Sequence, residues 1–189
     1  RSSRRRSRTP SVAIVGYTNA GKSSLLNRLT SAGVLVQDEL FATVDPTVRK
    51  LTTPSGRQFT MSDTVGFVRH LPHQLIESFR STIEEATDAD LLLHVVDGSA
   101  ESPQEQIAAV RSVLTEVGAD DVRELVVVNK ADVADPTMLA ELGASERHLV
   151  TVSALTGEGF AELAERIEQE LPAPEVEVDL VIPYSHAEL

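Results

Sequence analysis

The sequence predicts an α/β fold of three layers, a mostly parallel sheet with helices on both faces. Three observations carry this. Short apolar runs, VAIV at 12–15, LLLHVV at 91–96 and LVVV at 125–128, have the length of buried strands. Segments between them place apolar residues at helical spacing, as Leu25, Leu26 and Leu29 do after the first run. Strand and helix patterns alternate along the chain, which is the order that produces parallel strands joined by helical crossovers.

In chain order, residues 1–10 (RSSRRRSRTP) show no apolar periodicity and end in Thr9-Pro10, a boundary signal. A short strand at 12–15, a glycine-rich loop and a helix to about residue 31 follow. Residues 32–48 mix turn formers with scattered apolar residues and show no clean period. A loop that long in a compact domain is usually functional. RKLTTPSGRQFTMSD (49–63) reads as a hairpin turning at Pro54-Ser55-Gly56. After a second irregular stretch beginning at 63–66 (DTVG), Leu75, Ile76, Phe79 and Ile83 mark one face of a helix. LLLHVVD is a strand with His94 inside it. The helix of SPQEQIAAVRSVLTEVG is predicted to have Ser102 as N-cap, Pro103 at its first position and Gly118 past its end. ELVVVNKAD is a strand ending in polar residues, PTMLAEL a short helix, HLVTVSA a further strand and EGFAELAERIEQEL the last helix. Proline-rich sequence then gives way to an alternating, extended pattern.

A chain of 189 residues, 41% hydrophobic and 24% charged, suits one globular domain with a sizeable core. Its longest apolar runs are too short to cross a bilayer as helices, and it has no cysteine, so no disulfide framework is expected. Together with the lack of a visible signal peptide, this predicts a cytoplasmic protein. The net charge of −12 conceals an asymmetry. Five of the 17 basic residues, Arg1, Arg4, Arg5, Arg6 and Arg8, lie in the first ten positions, so the rest carries 12 against 29 acidic residues, or −17. An arginine-rich end can contact RNA phosphates; an acidic body offers no broad nucleic-acid surface.

GYTNAGKS at 16–23 fits the phosphate-loop pattern G-x-x-x-x-G-K-[ST]. Gly16 and Gly21 let the backbone curl so that its N–H groups face phosphate oxygens. Lys22 supplies a point charge to the β- and γ-phosphates, and Ser23 a hydroxyl to Mg²⁺. The helix starting near Lys22 turns its positive end to the same anion. Asp63, forty residues downstream at a strand end, can hold Mg²⁺ through a water, and Gly66 can bring an N–H to a γ-phosphate. NKAD at 129–132 fits N-K-x-D. Asp132 can accept from guanine N1–H and the 2-amino group, where adenine presents a bare N1. The Lys130 stem can lie over the base, Asn129 can brace the loop, and the Ala154 amide in Ser153-Ala154-Leu155 can donate to guanine O6.

GYTNAGKS, FATVDPT, DTVGFVRHLPHQLIESFRSTIEEA, NKAD and SAL together resemble the G domain of the HflX family, ribosome-associated translational GTPases of the Obg-HflX group. The fold this implies is that of a small-GTPase-like P-loop NTPase. The likeness runs from about Arg4 to the end, and the tract after DTVG is its most specific part. Family members carry an N-terminal domain, a basic helical linker and a small C-terminal domain, so the chain reads as an excised G domain. The expected division is a basic linker at 1–10, the G domain at 11–172, and a linker or the start of a C-terminal domain at 173–189.

The resemblance implies GTP hydrolysis coupled to the large ribosomal subunit, with splitting or rescue of stalled ribosomes as the family role, and a monomer is expected. It implies contacts to nucleotide from Gly16, Tyr17, Thr18, Asn19, Ala20, Gly21, Lys22, Ser23 and Ser24. It adds Phe41, Ala42, Thr43, Val44 and Asp45 in the first switch, then Asp63, Thr64, Val65 and Gly66. Asn129, Lys130, Asp132, Ser153, Ala154 and Leu155 meet the base. Lys22, Thr43, Gly66 and Asn19 are the expected catalytic contributors, and Ser23, Thr43 and Asp63 the Mg²⁺ ligands. Thr47 is the alternative to Thr43. Related GTPases carry an asparagine at the position of Asn19 that helps hold K⁺; the competing reading is that Asn19 only braces the loop. Phe67 stands where Ras-like enzymes have a water-orienting glutamine. That keeps a second function open, a nucleotide-gated binding module with negligible hydrolysis.

Overall fold

The computed structural model describes residues 9–31, 36–37, 48–63 and 85–173. Seven strands form one sheet in the order β2-β3-β4-β1-β5-β6-β7. They are β1 (Ser11–Gly16), β2 (Val36–Gln37), β3 (Val48–Thr52), β4 (Gln58–Asp63), β5 (Leu91–Asp97), β6 (Glu124–Asn129) and β7 (Leu149–Thr151). The strands β4, β1, β5, β6 and β7 run parallel, while β2/β3 and β3/β4 are antiparallel. The chain leaves β4 on one side of β1 and resumes at β5 on the other, so the crevice above the end of β1 lies at a switch in strand order.

Strand periodicity divides the core between two faces. Val12, Ile14, Leu91, Leu93, Val95, Leu125 and Val127 point to the face covered by α1 (Lys22–Ser31) and α4 (Phe160–Glu170), through Leu25, Leu29, Leu163 and Ile167. Ala13, Val15 and Leu92 pack under α2 (Pro103–Glu116), and Val96, Val126 and Val128 meet Ile107 of α2 and Leu142 of α3 (Pro136–Ser145). Each such valine, leucine or isoleucine side chain, nearly all of it out of water, contributes about 1.5–3 kcal/mol. Among the described residues no helix is long and apolar enough to cross a membrane.

Three expectations are adjusted. The span read as irregular contains β2, whose Val36 and Gln37 pair with Thr52 and Leu51. Two residues are too few to show a period, so the pattern could not reveal them. Ser102 occupies the N-cap position of α2 but makes no side-chain cap bond. The helix after β6 runs for ten residues rather than seven, capped by Asp135, whose carboxylate accepts from the Thr137 N–H at 2.7 Å. The helical face expected from Leu75 to Ile83 lies outside the described residues.

Candidate nucleotide site

The loop after β1 sits at the carboxyl edge of the sheet, between the ends of β4 and β5. Its turn closes with the Leu25 N–H donating to Gly21 O at 2.9 Å, the first bond of α1. Gly21 has φ 91°, and a Cβ there would stand 2.4 Å from Asn129 Nδ2, so both conformation and contact demand glycine. Asn19 is exposed with φ 63°, a conformation that asparagine tolerates better than most residues. Ala20 is buried, Tyr17 half-buried, and Thr18, Ser23 and Ser24 are exposed.

Lys22 is 7% exposed, and its ammonium donates to Gly16 O at 3.2 Å and Tyr17 O at 3.0 Å. Burial pushes its pKa below the ordinary lysine value, opposed by the charge of Asp63. Ser23 Oγ donates to Asp63 Oδ2 at 2.7 Å, which joins the start of α1 to the end of β4. Asp63 Oδ1 is buried and has no hydrogen-bond partner among the described residues. A hydroxyl beside a carboxylate with an unsatisfied oxygen is a donor set suited to a hard divalent cation.

Asn129, Asp132, Ser153 and Ala154 lie together beside the phosphate loop. Asn129, 2% exposed, donates through Nδ2 to Ala20 O at 3.0 Å and accepts through Oδ1 from the Ala154 N–H at 3.0 Å. Ser153, fully buried, donates through Oγ to Asp132 Oδ1 at 2.6 Å and accepts from the Thr156 N–H at 3.1 Å. Asp132 is itself exposed. Gly21, Ser24, Asn129, Lys130, Asp132, Val133, Ala154 and Leu155 line a cavity of about 430 Å³. Val133 and Leu155, 65% and 80% exposed, are the exposed large hydrophobics among the described residues, and both lie on this cavity. Apolar walls and a single oriented carboxylate suit a flat heterocycle that carries donors on one edge.

Phe41, Ala42, Thr43, Val44, Asp45, Thr64, Val65 and Gly66, with Thr47 and Phe67, lie outside the described residues. One base-loop expectation is modified: the Ala154 amide has a partner within the protein, Asn129, so reading guanine O6 would require that bond to be shared or exchanged. Two residues went unnoticed in the sequence. Arg28 donates to Thr156 O at 3.0 Å and so ties α1 to the loop after β7. Asp97 accepts from the Lys130 ammonium at 2.6 Å. Its signal was available, since Asp97 ends a strand as Asp63 does.

A phosphate loop alone serves many nucleotides. Joined to an N-K-x-D loop whose Asp132 lines the neighbouring cavity, on this strand order, it defines a P-loop domain of the GTPase class. Residues 11–130 match the family model described as "50S ribosome-binding GTPase", and the chain belongs to that family. It is 48% identical to the GTPase HflX of Lacrimispora saccharolytica over 99% of this chain and 44% of that protein. It is 46% identical to the GTPase HflX of Caldanaerobacter subterraneus subsp. tengcongensis over 97% and 42%. The chain thus spans less than half the length of these curated relatives. A GTP-binding protein from Sulfolobus solfataricus, solved in complex with GDP, aligns with a TM-score of 0.68 at 29% identity, covering 85% of this chain and 52% of that one.

Proposed function

We propose that this chain is the GTP-binding and GTP-hydrolysing G domain of an HflX-like, ribosome-associated GTPase that acts in the cytoplasm. The observation that carries it is the Asp132 carboxylate, held by Ser153 on a cavity walled by Val133 and Leu155. Guanine matches that acceptor with two N–H groups, and adenine repels it. The relatives named as GTPases support hydrolysis over a purely gating module. Within this reading residues 11–172 are the G domain, 1–10 a basic linker, and 173–189 a linker or the start of a further domain. The HflX likeness supports the large ribosomal subunit as the partner.

In the site so read, the phosphate-loop amides at 16–24 cradle the phosphates, and the Lys22 ammonium exchanges its carbonyl partners for phosphate oxygens. Ser23 and Asp63 would hold Mg²⁺, with Thr43 or Thr47 as a third ligand, and the ion would supply positive charge against that developing on the phosphates. Thr43 and Gly66 would place the attacking water by backbone and hydroxyl, since Phe67 has no group to orient it. Asn19 would help to hold K⁺, which offsets charge that an arginine finger otherwise stabilises. A GTPase rate in KCl above that in NaCl at matched ionic strength, abolished in Asn19→Ala, is the expected sign; equal rates with ribosomes present would remove the K⁺ part.

The test of the core reading is base selectivity. Asp132→Asn exchanges an acceptor for an amide that can donate to the 2-oxo group of xanthine. GTP affinity is expected to fall by about 10²-fold or more, on the scale of losing a paired buried contact, with xanthosine triphosphate affinity gained. Unchanged GTP affinity in the variant would mean that the base is read elsewhere.

A further inference from the structure

Beside the base loop, residues 97–99 form a turn at the end of β5 that is fitted against it on two levels. The Gly98 N–H donates to Asn129 O at 2.8 Å. A Cβ on Gly98 would stand 2.9 Å from that oxygen and 3.0 Å from Val128 Cγ1, so a larger residue would push the turn away. Asp97 lies in register with Asn129 across the β5/β6 pair. Its Oδ1 is occupied within the turn, accepting from the Ser99 N–H at 2.9 Å and Ser99 Oγ at 2.6 Å. Its Oδ2 accepts from Lys130 Nζ at 2.6 Å, with the carboxylate side chain 17% and the lysine 36% exposed. Burial disfavours the charge on Asp97, but the bonds from Lys130 and Ser99 outweigh it and hold its pKa below the ordinary value.

Lys130 is one of two described non-glycine residues with positive φ, at 63°, and it is among the residues that line the base cavity. A lysine stem has four rotatable bonds and orders only at an entropic cost unless its head is held. We infer that Asp97 is a positioning residue for base recognition, fixing the Lys130 ammonium so that the lysine stem stands as a rigid wall of the base cavity before nucleotide arrives. This deepens, and rests on, the nucleotide reading of that cavity. The wall acts on any purine face. Discrimination of guanine from adenine stays with Asp132, and phosphate contact with the loop after β1.

The experiment is a double-mutant cycle on nucleotide affinity and dissociation rate, with Asp97→Asn, Lys130→Met and the pair, read with both GDP and ATP. Asparagine keeps an acceptor for Ser99, and methionine keeps an apolar stem without the charged head. Each single change is expected to weaken the bound nucleotide five- to tenfold, chiefly through faster dissociation. The double variant should be no weaker than either single one, because Asp97 has no head left to hold. Inorganic tripolyphosphate, which lacks a base, should bind all four proteins alike. Single losses that multiply in the double variant would overturn the inference and leave Asp97 a brace of its own turn. Unchanged nucleotide affinity in Asp97→Asn, or an equal loss of tripolyphosphate, would overturn it as well. The parent protein's preference between GDP and ATP reports separately on the guanine reading, so a preference for ATP would sink that reading while the ATP cycle still decides the role of Asp97. A parent that binds neither nucleotide would end both.

Discussion

The side-chain amide of Asn129 spends both its ends on backbone groups of two other loops. Nδ2 satisfies Ala20 O in the phosphate loop, and Oδ1 satisfies the Ala154 N–H in the loop after β7. Asn129→Ala would take this partner from one buried and one part-buried backbone group, at up to about 1–3 kcal/mol each, and would open space beside Gly21. The expected result is a loss of about 2–5 kcal/mol in urea unfolding together with weaker nucleotide binding. Asn129→Asp, which keeps the acceptor and removes the donor, should recover part of the stability. A variant as stable as the parent would show that the loops hold each other by other means. That Asn129 braces a loop was legible in N-K-x-D; that it braces two was not. Its partners lie 109 and 25 residues away in the chain, and only the strand order brings them together. The same holds for Ser153 on Asp132, whereas Lys22, Ser23 and Asp63 were legible because the phosphate loop is a local motif and Asp63 stands at a fixed distance from it.

Between elements, a chain of charges ties α2 to the sheet and to the end of α3. His94, buried in β5, shares a hydrogen bond of 2.6 Å with Glu124 Oε1 at the start of β6. Arg111 of α2 donates to Glu124 Oε2 at 2.9 Å and grips both oxygens of Glu146, just past α3, at 2.9 and 2.8 Å. Burial raises the Glu124 pKa, yet the bonds from His94 and Arg111 prevail and hold it at about 2 against an ordinary 4.5. A carboxyl depressed in the folded state stabilises above its unfolded pKa and loses that contribution as pH falls. The share of Glu124 in stability is therefore complete above pH 4.5 and disappears as pH falls towards 2. Glu124→Gln should lower the melting temperature at pH 7, by an amount corresponding to about 1–3 kcal/mol, and the gap to the parent should close in acid. A gap that persists at pH 2 would assign the loss to packing rather than charge. The strands and helices of this region were readable from the apolar runs, and His94 was already placed in a buried strand. The network was not readable, because Arg111 and Glu146 look like ordinary solvated charges on helix faces until the helices are packed. β2 escaped for the opposite reason: it owes its existence to pairing with β3 and not to any pattern of its own.

For the whole molecule, charge constrains how a large ribonucleoprotein could be met. Without residues 1–10 the chain carries −17. Among the described residues, Glu162 and Glu165 stand exposed on α4, and Glu105 and Glu116 on α2. Such surfaces repel phosphate, so a ribosomal contact by this domain has to be local and has to draw its RNA attraction from a small basic part of the chain. The five arginines of 1–10 are the densest candidate, and they set a bound on what can be measured. If all five neutralise phosphates, log affinity should fall with log salt at a slope of roughly −4.5, and fewer contacts give a shallower line. Removing residues 1–8 should flatten that slope towards zero in co-sedimentation with large subunits across 50–200 mM KCl, with the affinity for GTP untouched. The chain covers under half of the curated HflX relatives, so the intact protein should bind the subunit more tightly than this chain at every salt concentration. An unchanged slope after truncation would move the RNA contact onto the folded body despite its charge. Equal affinity of chain and intact protein would mean that the residues here already contain the whole interface.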